Sequence, residues 1–237
     1  MQLNIEMSLA SNVMNLDWRR TILSFIKNLL EKEWTEYFET SYGQGRNGMK
    51  KMNFWTSLPG VKFGEDRISL SEKRFRLYIS SSDNNLLLHL NNAIMKYGSQ
   101  PYPIGFGNTM VVKGTRIVQT KSIESEEIIV KMISPLVVRR HNRDGADRYF
   151  LPNEEGFQEN IAYSMQTRFG TEDVPTIEPI KTKKVIVKAY GTTIPASLGI
   201  FKITGNIRQL NELYLDGALS RSSSGFGKFE IVGDNYR

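Results

Sequence analysis

An α+β fold made of two successive strand-helix-strand-strand-helix-strand units is what this sequence predicts, on three observations. Apolar periodicity switches between the strand period of 2 and the helix period of 3.6, and the resulting order of elements runs through one pattern twice. A polar, acidic stretch, Lys121–Glu127, stands between the two runs. The length, 237 residues, accommodates two domains of about 110–120 residues, each able to bury a core. The doubled βαββαβ pattern is ferredoxin-like (RRM-like). It sets the expected domains at residues 1–122 and 123–237, the second with a glycine-rich loop.

Gln2–Met7 alternates polar residues with Leu3, Ile5 and Met7, as a half-buried strand does. Asn15-Leu16-Asp17 offers an N-cap for one helix over Trp18–Phe38, with Ile22, Phe25, Ile26, Leu29, Leu30 and Trp34 at helical spacing. Arg19, Arg20 and Lys27 fall on its other side, where long basic residues are ordinarily solvated. Met52–Ser57 reads as a short strand, and Arg67–Leu70 with Arg74–Ile79 as a hairpin pair. Ser81-Ser82-Asp83 caps a second helix, Asn84–Tyr97, closed by Gly98. Ile104–Val112 and Thr115–Thr120 are expected as strands joined by a turn at Lys113-Gly114.

The second half begins with strand-rich Ile128–Val138, interrupted at Ser134-Pro135. Arg139–Arg148 is a basic loop or hairpin tip leading into Tyr149–Leu151. A helix follows from Asn153 or Glu154 to Phe169, stopped by Gly170, and Thr171–Pro179 connects onward. Lys183–Tyr190 alternates as a strand, Val185, Val187 and Ala189 on one face and lysines on the other. Ile200–Thr204 is a further strand, Asn206 caps the helix Ile207–Asp216, and Lys228–Val232 is the last strand.

Composition narrows the classes. A hydrophobic fraction of 40% and a charged fraction of 24% are those of an ordinary folded protein. The chain has no cysteine, which excludes disulfides, thiolate nucleophiles and Cys-based zinc sites. No apolar run reaches the ~18 residues of a membrane span, and MQLNIEMSLASN lacks the basic and apolar regions of a secretion signal. The expected location is the cytoplasm, with no membrane partner. The net charge of +6 favours a polyanion. Basic clusters at Arg19-Arg20, Arg46–Lys51, Lys73–Arg76, Arg139-Arg140-His141 and Lys181–Lys188 are separated from the acids, as a track along a nucleic-acid backbone requires. No aromatic pair of the RRM kind is evident on a single strand, so base stacking in that manner is not expected.

The most pointed motif is Gly217–Gly227, GALSRSSSGFG, which carries four serines, one arginine and no acid. A loop of this kind is either a mobile surface loop or a place where backbone and a cation meet a phosphate. It precedes a strand, so it has neither the Walker nor the Rossmann context. Gly217, Arg221, Ser222, Gly225, Phe226 and Gly227 resemble the C-terminal glycine-rich loop of the CRISPR-associated repeat-RNA endoribonucleases, in the repeat-associated mysterious protein superfamily. Leu219 stands where that loop usually has its second glycine. Ile133–Val138, the hairpin to Tyr149–Pro152 and the strand Met52–Leu58, with Phe54, Thr56 and Ser57, are similar too.

The resemblance implies a double ferredoxin-like protein that cuts the repeat of a precursor CRISPR RNA once, without a metal or other cofactor. The 2′-hydroxyl at the cut attacks the adjacent phosphate, leaving a cyclic phosphate and a 5′-hydroxyl. Many relatives place a histidine just after the first helix; here that position falls at Glu39 or Thr40. Relatives without it align the RNA and stabilise charge with lysine, arginine and tyrosine. The groups available for that in this chain are Lys27, Tyr42, Arg46, Lys50 and Lys51, with Glu39 as a carboxylate base. For RNA grip the candidates are Arg221, Ser222, Ser223, Gly225, Gly227 and Lys228 of the loop, Lys183 and Lys184 of the lysine-rich strand, Arg139, Arg140, His141 and Arg20. His89, in a crowded helix, reads as structural, and two histidines so far apart support no metal site. The expected partners are repeat RNA, as precursor and product, together with effector-complex subunits and a second copy of the chain. The competing reading is a relative that binds repeat RNA and delivers it without cutting.

Overall fold

The computed structural model describes residues 1–43, 50–142 and 145–234. The chain divides into two compact units: Met1–Thr120 with Lys188–Thr192, and Lys121–Val187 with Thr193–Arg237.

In the first unit β1 (Gln2–Leu9) leads through β2 (Val13–Asn15) to α1 (Trp18–Glu33) and α2 (Thr35–Tyr42). Then come β3 (Asn53–Ser57), β4 (Lys62–Phe63), β5 (Arg67–Ser69), β6 (Arg74–Ser80), α3 (Asn84–Tyr97), β7 (Tyr102–Gly105) and β8 (Asn108–Val118). The main sheet has the order β3-β6-β1-β8-β7. Leu3, Ile5 and Met7 of β1 stand opposite Ile79, Leu77 and Phe75 of β6, so one face of the sheet is continuously apolar. Ile22, Phe25, Ile26, Leu29 and Leu30 of α1 and Leu86, Leu87, Leu90, Ala93 and Ile94 of α3 bury that face in one core. The Asp83 carboxylate accepts from the Asn85 and Leu86 amides, the cap that the sequence predicts for α3.

Three local expectations are corrected. The single first helix breaks at Trp34 (φ −145, ψ 67), whose indole leaves the helix to stack on Tyr37 and His89, at 4.6 and 4.1 Å. The Thr35 hydroxyl assists by donating to Glu31 O, 2.8 Å, which competes with the helix ladder. Arg67–Leu70 and Arg74–Ile79 do not pair: β5 joins β2 and β4 in a separate three-stranded sheet, and β6 takes its place beside β1. Lys113-Gly114 is not a turn. Glu6 faces Gly114 and Met7 faces Val112, so Lys113 is the extra residue of a bulge inside one long strand. The turn lies instead at Phe106-Gly107, with φ of 51 and 66.

The second unit repeats the pattern with an added hairpin. Its elements are β9 (Glu127–Met132), β10 (Val138–Arg140), β11 (Arg148–Phe150), α4 (Phe157–Phe169), β12 (Thr176–Ala189), β13 (Thr192–Thr204), α5 (Ile207–Asp216), a 3₁₀ turn Ser222–Ser224 and β14 (Phe229–Asp234). The sheet order β12-β13-β9-β14 places its four strands as β3-β6-β1-β8 are placed in the first unit, which is the ferredoxin-like arrangement. Phe201 and Ile203 pair with Val130 and Ile128, and Phe157, Ile161, Met165, Leu210 and Leu213 cover them from α4 and α5. Pro179 is tolerated because β12 is an edge strand.

The glycine-rich loop is packed, not splayed. Ala218, Leu219 and Phe226 are buried. The Ala218 amide donates to Gly227 O at 2.8 Å, and the Gly227 amide to Pro135 O at 2.9 Å. Gly227 has φ +69, and a Cβ there would lie 2.0 Å from Ala218 O. Gly227→Ala therefore should lower unfolding stability by about 3 kcal/mol or more, read from a urea titration, because strain and a backbone clash add.

Candidate active site and nucleic-acid interface

Two clusters gather the chemistry-bearing residues. In the first unit, the break at Trp34 redirects α2 so that Tyr42 at its end meets Lys27 of α1. Lys27 Nζ lies 4.8 Å from the Tyr42 ring centroid and Lys50 Nζ lies 5.5 Å from it. Two lysines, one on each side of Tyr42 in the sequence, thus share its ring, in contacts typical of cation–π pairs. The Tyr42 hydroxyl is buried and has no hydrogen-bond partner among the described residues. Burial, with Tyr37 and Tyr190 adding to it, pushes the phenol well above its ordinary value, so it stays protonated and can only be a donor when it meets an anion. Burial, and then the neighbouring Lys27, pull the Lys50 ammonium below the ordinary lysine value.

The other candidates of this region divide. Lys51 is exposed and its carbonyl accepts from the Ser81 hydroxyl. Glu39 is exposed on α2, which buries no residue of its own. Thr40 spends its hydroxyl on Glu36 O and Tyr37 O, at 2.9 and 3.1 Å. Arg46 lies outside the described residues. Arg20 is exposed on α1, whereas Arg19, expected in solvent, has its guanidinium 4.3 Å from the Trp18 ring centroid.

The second cluster joins the β10–β11 hairpin to the glycine-rich loop through Asp147. One carboxylate oxygen accepts from Arg139 Nη1 at 2.8 Å and has Arg221 Nη2 at 3.6 Å; the other lies 2.8 Å from His141 Nδ1. Burial opposes the charge on Asp147, yet hydrogen bonds from His141 and Arg139 outweigh it and hold this carboxyl below its ordinary value. An ionised carboxylate only accepts, so His141 donates through Nδ1, leaving Nε2 directed away. Arg221 also donates to Tyr149 Oη at 3.2 Å. Arg139, His141 and Arg221 are therefore brought together, while Arg140 pairs with Glu159 at 3.7 Å. Sequence reasoning missed Asp147, an acid inside a stretch read for its arginines.

The rest of the loop corrects several expectations. Ser222 is buried, as are Gly225 and Gly227, and only Ser220, Arg221, Ser223 and Ser224 keep partial exposure. Lys228, expected to grip RNA, is 2% exposed; its ammonium donates to Tyr214 O and lies 4.6 Å from the Tyr214 ring centroid. Beside it Arg168 donates to Gly217 O at 2.7 Å and approaches Asp216 at 3.4 Å. Two buried cations thus satisfy carbonyls at the C-terminus of α5, where the helix dipole favours positive charge. Leu219 has φ of 63, a left-handed backbone that side chains other than glycine rarely adopt. Lys183 and Lys184 are both exposed on β12, but strand alternation places them on opposite faces, correcting the single lysine face.

Comparison with known proteins bears on the second unit and on the whole fold. Residues 118–231 match the family of the CRISPR-associated protein Cas6, C-terminal. That stretch, most of the second unit, is similar to the Cas6 C-terminal domain. A solved structure described for a Cas6-related gene from Pyrococcus furiosus has a TM-score of 0.82 at 20% identity, over 99% of both chains. An RAMP protein binding different RNA substrates has a TM-score of 0.80 at 17% identity, over 98% of this chain and 100% of that one. A Cas6 product complex has a TM-score of 0.71 at 13% identity, over 98% and 100%. These likenesses establish the doubled ferredoxin-like fold. No curated protein matches by sequence. Among the described residues, no helix is long and apolar enough to cross a membrane, and no three His, Asp or Glu gather as a metal site.

Burial pushes the Lys228 ammonium from 10.5 down to about 7, with Asp216 partly opposing. An unfolded lysine keeps its proton up to 10.5, so between these values the unfolded chain binds the extra proton and stability rises with pH. The urea midpoint should climb from about pH 7 to about pH 10 in the native chain, and Lys228→Met should flatten that climb.

Proposed function

We propose that this chain is a Cas6-type, metal-independent endoribonuclease that cleaves CRISPR repeat RNA, with Lys27, Tyr42 and Lys50 around the scissile phosphate. The observation that carries this reading is the convergence of Lys27 and Lys50 on the ring of Tyr42, whose hydroxyl is buried and unsatisfied among the described residues. A 2′-hydroxyl gives its proton to solvent water as it attacks the neighbouring phosphorus, the bond to the 5′-oxygen breaks, and a cyclic phosphate and a 5′-hydroxyl remain. Negative charge accumulates on the phosphoryl oxygens during this step. Two ammonium groups and a neutral phenol suit it, because preorganised donors act most strongly where charge develops. Lys50, which holds its proton less tightly than a free lysine, supplies the proton to the departing 5′-oxygen. Arg139, His141, Arg221 and the exposed Lys184 contribute to RNA grip.

A second reading, a non-cleaving member that delivers repeat RNA to an effector complex, is favoured by one observation. Where relatives carry a histidine, Thr40 has its hydroxyl engaged by helix carbonyls and Glu39 faces solvent.

Incubation with the cognate repeat RNA in chelator, beside RNA with a 2′-deoxy sugar at the cut, separates the readings. The first expects cleavage of the ribose substrate alone, with a cyclic-phosphate product; binding without cleavage of either RNA favours the second. In single-turnover assays Tyr42→Phe and Lys50→Met should each lower the rate by about 10- to 1,000-fold with little change in affinity. The rate should also fall at alkaline pH, at a value below the 10.5 of an ordinary lysine, as Lys50 loses its proton. Lys50→Arg should remove that fall while leaving the reaction slow, since a guanidinium stays charged but gives up its proton poorly.

A further inference from the structure

The first sheet buries one face under α1 and α3, and its other face carries an unexpected pair. Trp55 of β3 and Tyr78 of β6 are directly opposed in the strand register. Their rings are stacked, with centroids 5.1 Å apart and planes 11° from parallel. The neighbours Phe54, Leu77 and Ile79 point into the core, so strand alternation directs both rings to the open face. Each residue is half-buried. The aromatic pair that is not evident on any one strand is thus assembled across two.

Cations surround it. Arg74 and Arg76 lie on the same face of β6, Arg116 is opposite Asn4 on β8, and the bulge presents Lys113. Arg74 pairs with Glu72, but among the described residues Arg76, Lys113 and Arg116 make no salt bridge, although Glu6 stands across from Arg76. Two grooves mark the surface. One of about 610 Å³ is lined by Ser8, Ser57, Arg74, Arg76 and Lys113 among others. Another of about 360 Å³ is lined by Asn4, Glu6, Arg76, Tyr78 and Arg116 among others. Five cations, counting Lys73, against Glu6 and Glu72 leave this face positive.

We propose that this face is a base-stacking site for a single-stranded segment of RNA, with one base on the Trp55–Tyr78 pair and adjacent phosphates on Arg76 and Arg116. The occupant follows from the chemistry. A flat aromatic surface accepts the π-face of any base, and cations not held in salt bridges beside it accept the backbone. A duplex hides its base faces in its own stack and cannot use the pair. The proposal rests on the reading of the chain as an RNA-binding protein, not on cleavage.

The test is the affinity of the full chain for a labelled, unstructured RNA of about ten nucleotides, by fluorescence anisotropy. Trp55→Leu and Tyr78→Leu should each weaken binding by about 5- to 150-fold, the equivalent of one base stack, whereas Tyr78→Phe should retain it. Arg76→Gln with Arg116→Gln should reduce the slope of log K against log salt by about 0.7 for each phosphate that is no longer neutralised. Ultraviolet crosslinking of the same RNA to the unaltered chain should map to Trp55 or Tyr78. Crosslinks found only elsewhere, or unchanged affinity of leucine variants that melt like the native chain, would overturn the proposal. If the native chain binds no repeat RNA, the underlying functional reading fails instead. If it binds and cuts while Trp55→Leu does so equally, the stacking site alone falls.

Discussion

Each half of this protein depends on one constraint: an antiparallel sheet must bury one face, and two helices on that face are enough to do it. The alternating residues of β1 and β6, and of β9 and β13, supply the apolar side, and α1 with α3 or α4 with α5 close over it. Burial of large side chains such as Phe54, Phe201 and Phe229 drives this association, each contributing on the order of 2–3 kcal/mol. The consequence for function is geometric. Helix ends and inter-element loops collect at the rims, and the opposite sheet face keeps its polar and aromatic side chains outside the core.

Both residue clusters are products of that geometry. Lys27 sits on the half-buried flank of α1, and Tyr42 reaches it only because Trp34 leaves the helix and α2 takes a new direction. The glycine-rich loop has its shape because Arg168 and Lys228 satisfy the end of α5 from below while Pro135 and Val137 accept from its backbone. Burying two cations is costly, and it is offset by hydrogen bonds to carbonyls that would otherwise be orphaned. Arg221, at φ 60 in the left-handed region, is the residue that this scaffold turns toward Asp147 and Tyr149. The loop is better described as a rigid mount for one arginine than as a flexible phosphate cradle.

Much of this was legible in the residue pattern. Caps at Asp83 and Asn206, the stop at Gly170 and the alternation of β1 all follow from local chemistry, and the structure retains each. Errors arose where a glycine or a strand boundary had two local meanings. Gly114 suits a turn or a bulge, and only the register of β1 against β8 selects the bulge. Lys228 reads as a cation for RNA, because nothing nearby in sequence announces that Tyr214 O and Asp216 will enclose it. Asp147 was hidden among arginines in the same way.

The sequence by itself determined the doubled βαββαβ order, the apolar faces and the glycine-rich motif, because these depend on period, capping and backbone freedom within a few residues. Tertiary structure alone decided which charges face outward and which aromatic rings meet. Lys27 on Tyr42, Trp55 on Tyr78 and Arg221 on Asp147 are contacts between different elements of the chain. Strand register and helix direction fix such contacts, and both are set by packing the whole core.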